Sequence, residues 1–154
     1  MNPTAAFFMV LPLFRVFNDK FESTHMNELE KVIEKMDFQF FATGQHKVDP
    51  ETLLQNKEAV LLDVRSKEEI ETVQFHLKHH VQLLEIPAHE VPSRVSEIPK
   101  QKFIGIFCSS GIRCTMIFLY LQSKGFSQVR ILEGGYYALI SALMPGKIYK
   151  QLNK

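Results

Sequence analysis

Short, continuous apolar runs that lead straight into helix starts constrain this chain more than any other feature. Ala59 to Asp63 reads Ala-Val-Leu-Leu-Asp, and Lys102 to Phe107 reads Lys-Phe-Ile-Gly-Ile-Phe. Neither alternates polar with apolar, so each is expected to be a strand covered on both faces, which is the habit of parallel sheets. Each run is followed at once by helix chemistry. Ser66-Lys67-Glu68-Glu69 forms a capping box after the first. After the second, Gly111 to Lys124 carries Ile112, Met116, Ile117, Leu119, Tyr120 and Leu121 at helical period, and Gly125 stops it. Asp49-Pro50 caps and opens another short helix. Val81 to Ile86 is a weaker strand closed by Pro87, a helical stretch covers about His89 to Glu97, and Gln128 to Leu132 is a last strand. Gly134-Gly135 then turns the chain into a helix starting near Tyr136. Alternation of this kind predicts an α/β fold, a parallel sheet flanked by helices.

The first 45 residues differ in character. They hold eight of the thirteen phenylalanines, and Met26, Leu29, Val32, Ile33 and Met36 place an amphipathic helix over Thr24 to Asp37. This Phe-rich helical extension is expected either to pack on the domain or to form a homodimer or partner interface. Three parts follow: an extension over 1–45, a domain over 46–145 and a C-terminal tail over 146–154. Ala5 to Phe14 is almost wholly apolar, but it is about half of the roughly 20 residues a membrane helix needs, and Pro12 interrupts it. No basic residue precedes it and no small-residue cleavage pattern follows. No transmembrane span is expected, and the expected location is cytoplasmic.

A formal net charge of +1, from 18 basic and 17 acidic residues, gives no electrostatic footprint for nucleic acid. With only two cysteines, Cys108 and Cys114, a disulfide scaffold is not expected. His76, His79 and His80 lie together and His89 follows; His76 and His80 would share a helix face if that segment were helical. No second half-motif with ligand spacing accompanies them, so no metal and no cofactor is assigned. Gly134-Gly135 lacks a dinucleotide-binding pattern and reads as turn chemistry.

The chemistry concentrates in Cys108-Ser109-Ser110-Gly111-Ile112-Arg113. Cys108 follows a strand end, where parallel α/β sheets place their ligands. A short glycine-containing loop feeding a helix lets successive N–H groups point inward as an anion nest. Such a nest favours the thiolate, and a shift of about two units from ~8.5 makes it the main species at neutral pH. The hydroxyls of Ser109 and Ser110, with Arg113, are candidate donors for an anionic ligand. Cys114, one residue beyond the loop, reads either as a packed helical cysteine or as a thiol that resolves an oxidised Cys108.

This loop resembles the active-site loop of single-domain rhodaneses, Cys-Arg-x-Gly-x-Arg. Other segments agree in order: Val60-Leu61-Leu62-Asp63-Val64-Arg65, Glu85-Ile86-Pro87, and Leu132-Glu133-Gly134-Gly135-Tyr136-Tyr137-Ala138-Leu139. The resemblance covers about residues 46 to 145. It implies a five-stranded parallel sheet and a sulfurtransferase that carries sulfur as a Cys108 persulfide. The donor would be thiosulfate, polysulfide or a persulfide, and the acceptor a thiol, cyanide or a protein partner in a sulfur relay. It also implies that Asp63 and Arg65 brace the loop or edge the pocket. Ser109 stands where many thiosulfate-using members have Arg, which points toward persulfide, polysulfide or protein-bound donors. His79-His80-Val81-Gln82 replaces the family's Gly-His-Ile-Pro-Gly turn, and Tyr136 replaces Trp. Dual-specificity phosphatases of the cell-cycle type share the fold but place five residues between Cys and Arg. Four intervene here, a cradle that suits a sulfur atom better than a tetrahedral oxyanion. The alternative from another class is a non-catalytic sulfur-carrier or interaction module.

Overall fold

A computed structural model describes residues 28–153. Helical residues 28–34 (α1) and α2 (Phe38–Ala42) lead into β1 (Lys47–Val48), α3 (Pro50–Gln55), β2 (Val60–Asp63), α4 (Lys67–Thr72) and β3 (Gln82–Glu85). Then come α5 (Val91–Arg94), a 3-10 turn (Val95–Glu97), β4 (Ile104–Phe107), α6 (Ile112–Ser123), β5 (Val129–Leu132), α7 (Gly135–Ala142) and α8 (Pro145–Leu152). The five strands form one sheet in the order β1-β5-β4-β2-β3, every neighbouring pair parallel.

The two apolar runs occupy the protected middle of this sheet. Every residue of β2 and β4 is buried, and alternate side chains serve opposite faces. Val60, Leu62, Ile104 and Ile106 join Ile117, Phe118 and Leu121 of α6 on one face. Leu61 and Phe107 join Leu53, Phe75, Leu132 and Leu139 on the other. Gly105 faces Leu53 so closely that a Cβ there would lie 2.5 Å from a Leu53 methyl. The capping box of α4 forms as expected: Ser66 Oγ accepts from the Glu69 amide, and Glu69 accepts from the Ser66 amide. Asp49 caps α3 with a single bond, its carboxylate accepting from the Thr52 amide.

The structure adjusts or extends the sequence reading at four points. The helix placed over Thr24 to Asp37 ends at residue 34, and Asp37 instead caps a separate short helix, α2; its first residues, with the apolar run Ala5 to Phe14, lie outside the described residues. Met36 and Phe40 pack against the core, while Phe38 is exposed. The tail over 146–154 is largely helix α8, opened by Pro145 and tied by Lys147 to Glu51. The sheet has a two-residue edge strand, β1, in a segment too short to show any period. Residues 74–77 are not helical, so His76 and His80 share no helix face, and His80 is buried. No helix among the described residues is long and apolar enough to cross a membrane.

Candidate active site

The carboxyl ends of β4 and β2 lie side by side, with Asp63 level with Phe107. Cys108 therefore emerges at the centre of the sheet's functional edge. The loop turns through Gly111 at φ +85°, a left-handed conformation that disfavours any side chain, and α6 starts at the next residue. This turn aims the Gly111 N–H at Cys108 Sγ, 3.2 Å away. From the opposite direction the Cys114 thiol donates to the same sulfur at 3.0 Å. Together they hold the Cys108 thiol far below its ordinary range, at about 5. The Cys114 hydrogen bond is the largest cause, burial opposes it, and the amides of Cys114, Ser110 and Gly111 add to it. Cys114 moves the other way: its proton serves Cys108, and burial further disfavours its charged form. The contact thus favours the charge on Cys108 and the proton on Cys114.

Cys108 forms the floor of a cleft of about 810 Å³. Ser109, Ser110, Gly111, Ile112 and Thr115 line one side; His46, Lys47 and the segment from Ile131 through Tyr137 complete it. Lys47 is the cation of this wall, paired with Glu133 at 2.7 Å. His46 and Lys47 carried no motif in the sequence, and Glu133 stood out only as part of the segment from Leu132 to Leu139. Two rim residues are strongly exposed apolar groups, Ile112 at 67% and Tyr137 at 84%.

Arg113 does not line the cleft. Its guanidinium forks onto Glu69, with Nη1 to Oε2 at 2.5 Å and Nη2 to Oε1 at 2.9 Å, and Nη2 also donates to Ser109 Oγ at 2.6 Å. The Glu69 carboxyl is held well below the usual carboxylate range, first by Arg113 and then by the Ser66 amide. One carboxylate thus closes the capping box of α4 and anchors the loop through Arg113. Ser109, the residue in the place of the family's arginine, is drawn into this clamp.

Arg65 is no surface cation. It is fully buried beside an equally buried Asp63, which accepts from Arg65 Nε at 2.9 Å and Nη2 at 2.5 Å. Its Nη1 donates to the Val73 carbonyl at 3.0 Å and to the Tyr136 hydroxyl at 2.5 Å. The guanidinium carbon lies 4.9 to 5.2 Å from the ring centres of Phe75, Phe107 and Tyr136. Each of its three nitrogens has an acceptor and its plane is flanked by aromatic rings, as a buried charge requires. Because Phe107 precedes Cys108 and Tyr136 lines the cleft, Arg65 ties the two walls together from behind.

A family model described as the rhodanese-like domain matches residues 49–142. A protein of Allochromatium vinosum named sulfurtransferase is 33% identical over 97 residues, 60% of this chain and 86% of that protein. A tRNA sulfurtransferase of Mannheimia succiniciproducens is 30% identical over 89 residues; the match spans 58% of this chain and only 18% of that longer protein. A solved structure from Lactobacillus plantarum superposes with a TM-score of 0.57 over 75% of this chain and 96% of that one; at 22% identity the likeness is one of fold.

Proposed function

The chain belongs to the rhodanese-like family, and on that premise we propose that it is a sulfurtransferase in which Cys108 carries the sulfur as a persulfide. The observation that carries this reading is the Cys108 sulfur at the cleft wall, met by the Gly111 amide at 3.2 Å and the Cys114 thiol at 3.0 Å. A thiolate with a thiol pKa of about 5 is fully formed at neutral pH and attacks the outer sulfur of a donor. The outer sulfur then sits in the cleft beside the amide nest, and a thiol, cyanide or protein acceptor removes it. The transfer divides into two displacements at sulfur, with preorganised amides stabilising the charge in each. Ser110 and Gly111 form the nest, Ile112 its rim, and Ser109 with Arg113 the clamp that holds it closed. Asp63 and Arg65 are positioning residues.

The donor proposed is a polysulfide, a persulfide or a protein-bound sulfane sulfur rather than thiosulfate. The one arginine of the loop is neutralised by Glu69, so no unpaired guanidinium waits for a dianion. Exposed Ile112 and Tyr137 at the rim favour a macromolecular donor or acceptor, as in a cytoplasmic sulfur relay. The reading assigns this chemistry to residues 46–145 and a partner-facing or dimer-forming role to the extension over 1–45.

Cyanide-dependent turnover with thiosulfate and with polysulfide, beside a Cys108→Ala control, tests the proposal. Polysulfide turnover that vanishes in the variant is expected; equal turnover in the variant would overturn it. The pH profile gives a second check. Because ionisation, not protonation, makes the nucleophile, iodoacetamide alkylation of Cys108 is expected to level off above about pH 6 and to fall as pH drops through about 5. A midpoint near the ordinary thiol value would contradict the geometry.

A further inference from the structure

Sulfur transfer as just described uses one thiol, yet two sulfurs meet at 3.0 Å in this site. Cys114 lies in the first turn of α6, is 1% exposed, and is oriented by a contact of its Sγ with the Ile106 carbonyl at 3.4 Å. The cleft is lined by Cys108 and not by Cys114. A sulfur delivered through the cleft therefore bonds to Cys108 Sγ on its open side, while Cys114 Sγ touches the same atom from the buried side. Nucleophile, central sulfur and leaving sulfur take the order that displacement at sulfur needs. Bond formation requires the two cysteines to close from 3.0 Å to the roughly 2.05 Å of a disulfide. Five residues lie between them, and that loop carries a glycine turn.

We infer that Cys114 is a resolving thiol that discharges the Cys108 persulfide internally and releases its outer sulfur as hydrosulfide. The step rests on the persulfide reading above. Cys114 Sγ forms a bond to Cys108 Sγ, and the bond from Cys108 Sγ to the outer sulfur breaks. The electron pair of the broken bond leaves with the outer sulfur, and the Cys114 proton goes with it, so that Cys108–S–S⁻ and Cys114–SH become a Cys108–Cys114 disulfide and HS⁻. The sulfane sulfur is reduced, the two cysteines together lose two electrons, and an external dithiol restores the pair. The loaded state itself prepares the step. In the empty enzyme the Cys114 proton is bound to the Cys108 thiolate, whereas persulfidation moves the negative charge outward onto the sulfur in the cleft and leaves that proton free to depart. The chain would then hold two activities in one site: transfer when an acceptor is present, and sulfide release when none is.

The test uses the full chain, reduced, freed of small thiols and held without oxygen, then given a limiting amount of inorganic polysulfide. Sulfide release is followed beside the mass of the intact, alkylated protein. Arg113 lies between the cysteines, so trypsin leaves their peptides joined only if the disulfide has formed. In wild type the persulfide is expected to disappear about tenfold or more faster than in Cys114→Ser, since an internal thiol acts at high effective concentration. Joined peptides and sulfide above the Cys114→Ser level accompany it, while Cys114→Ser, and Cys114→Ala as a second variant, keep the extra sulfur. A wild-type persulfide as long-lived as that of both variants, with no joined peptides, overturns the resolving role and leaves the persulfide reading intact. If Cys108 takes up sulfur in none of the three folded proteins, the persulfide reading fails and the resolving role falls with it.

Discussion

Two arginine–carboxylate pairs brace the cysteine loop, one from behind and one at its lip, and they are built differently. Behind the loop, Arg65 and Asp63 are both fully buried, and the guanidinium is enclosed by Phe75, Phe107 and Tyr136. At the lip, Arg113 and Glu69 are about one-third exposed and form an open fork that also catches Ser109. A sealed pair has no water to replace a lost partner, so it behaves as part of the frame. A solvated pair is screened and replaceable, so it sets the position of a movable part. The difference separates what holds the cleft walls together from what tunes the cradle around the cargo.

The largest expected effect lies in the sealed pair. Arg65→Met leaves Asp63 as an unpaired buried carboxylate and removes the link between Phe107 and Tyr136, with an expected loss of about 3–5 kcal/mol in urea unfolding. A loss under about 1 kcal/mol would erase the contrast between the two pairs. Glu69→Gln at the lip is expected to cost about 1 kcal/mol, and less as salt is added. Its clearer effect should be on chemistry, a severalfold slower sulfur uptake by Cys108 in a folded protein, measured by stopped-flow with polysulfide. Unchanged uptake would reduce the clamp to a helix cap.

The smallest effect is a pH dependence at the lip. The folded-state pKa of Glu69 is depressed relative to its ordinary 4.5. Its contribution is therefore complete above about 4.5 and is lost as pH falls below that value toward the folded one. Wild type should lose more thermal stability than Glu69→Gln between neutral pH and the mid-3 range. Parallel curves would mean that the fork contributes nothing in solution.

How much of this was legible in the sequence depends on the distance over which each feature is made. The strands β2 and β4, the capping box and the cysteine loop are written in contiguous residues, and local chemistry specifies them. The sealed site is only partly so: the resemblance pointed to Asp63 and Arg65, but the enclosure of Arg65 by Phe75, Phe107 and Tyr136 exists only once the sheet has formed. Arg113 looked like the cation of the pocket because its partner Glu69 lies 44 residues away. Edge strand β1 has two residues and depends on pairing with β5. Helix α8 carries its start signal at Pro145, but the residues after it read as a polar tail because their apolar members, Ile148, Tyr149 and Leu152, are few; Tyr149 and Leu152 are indeed exposed. The proximity of the two sulfurs was the hardest to see. The left-handed turn at Gly111 brings Cys114 back beneath Cys108, whereas the spacing alone favoured a cysteine simply packed in a helix.

The central claim is that Cys108 carries the sulfur, and the mass of its peptide tests this most directly. Cys114→Ser protein, exposed to polysulfide and alkylated at once, should show a gain of one sulfur atom on the peptide that contains Cys108, with none in the double variant that also carries Cys108→Ala. A folded protein whose Cys108 peptide shows no added sulfur after any sulfane donor would contradict the account.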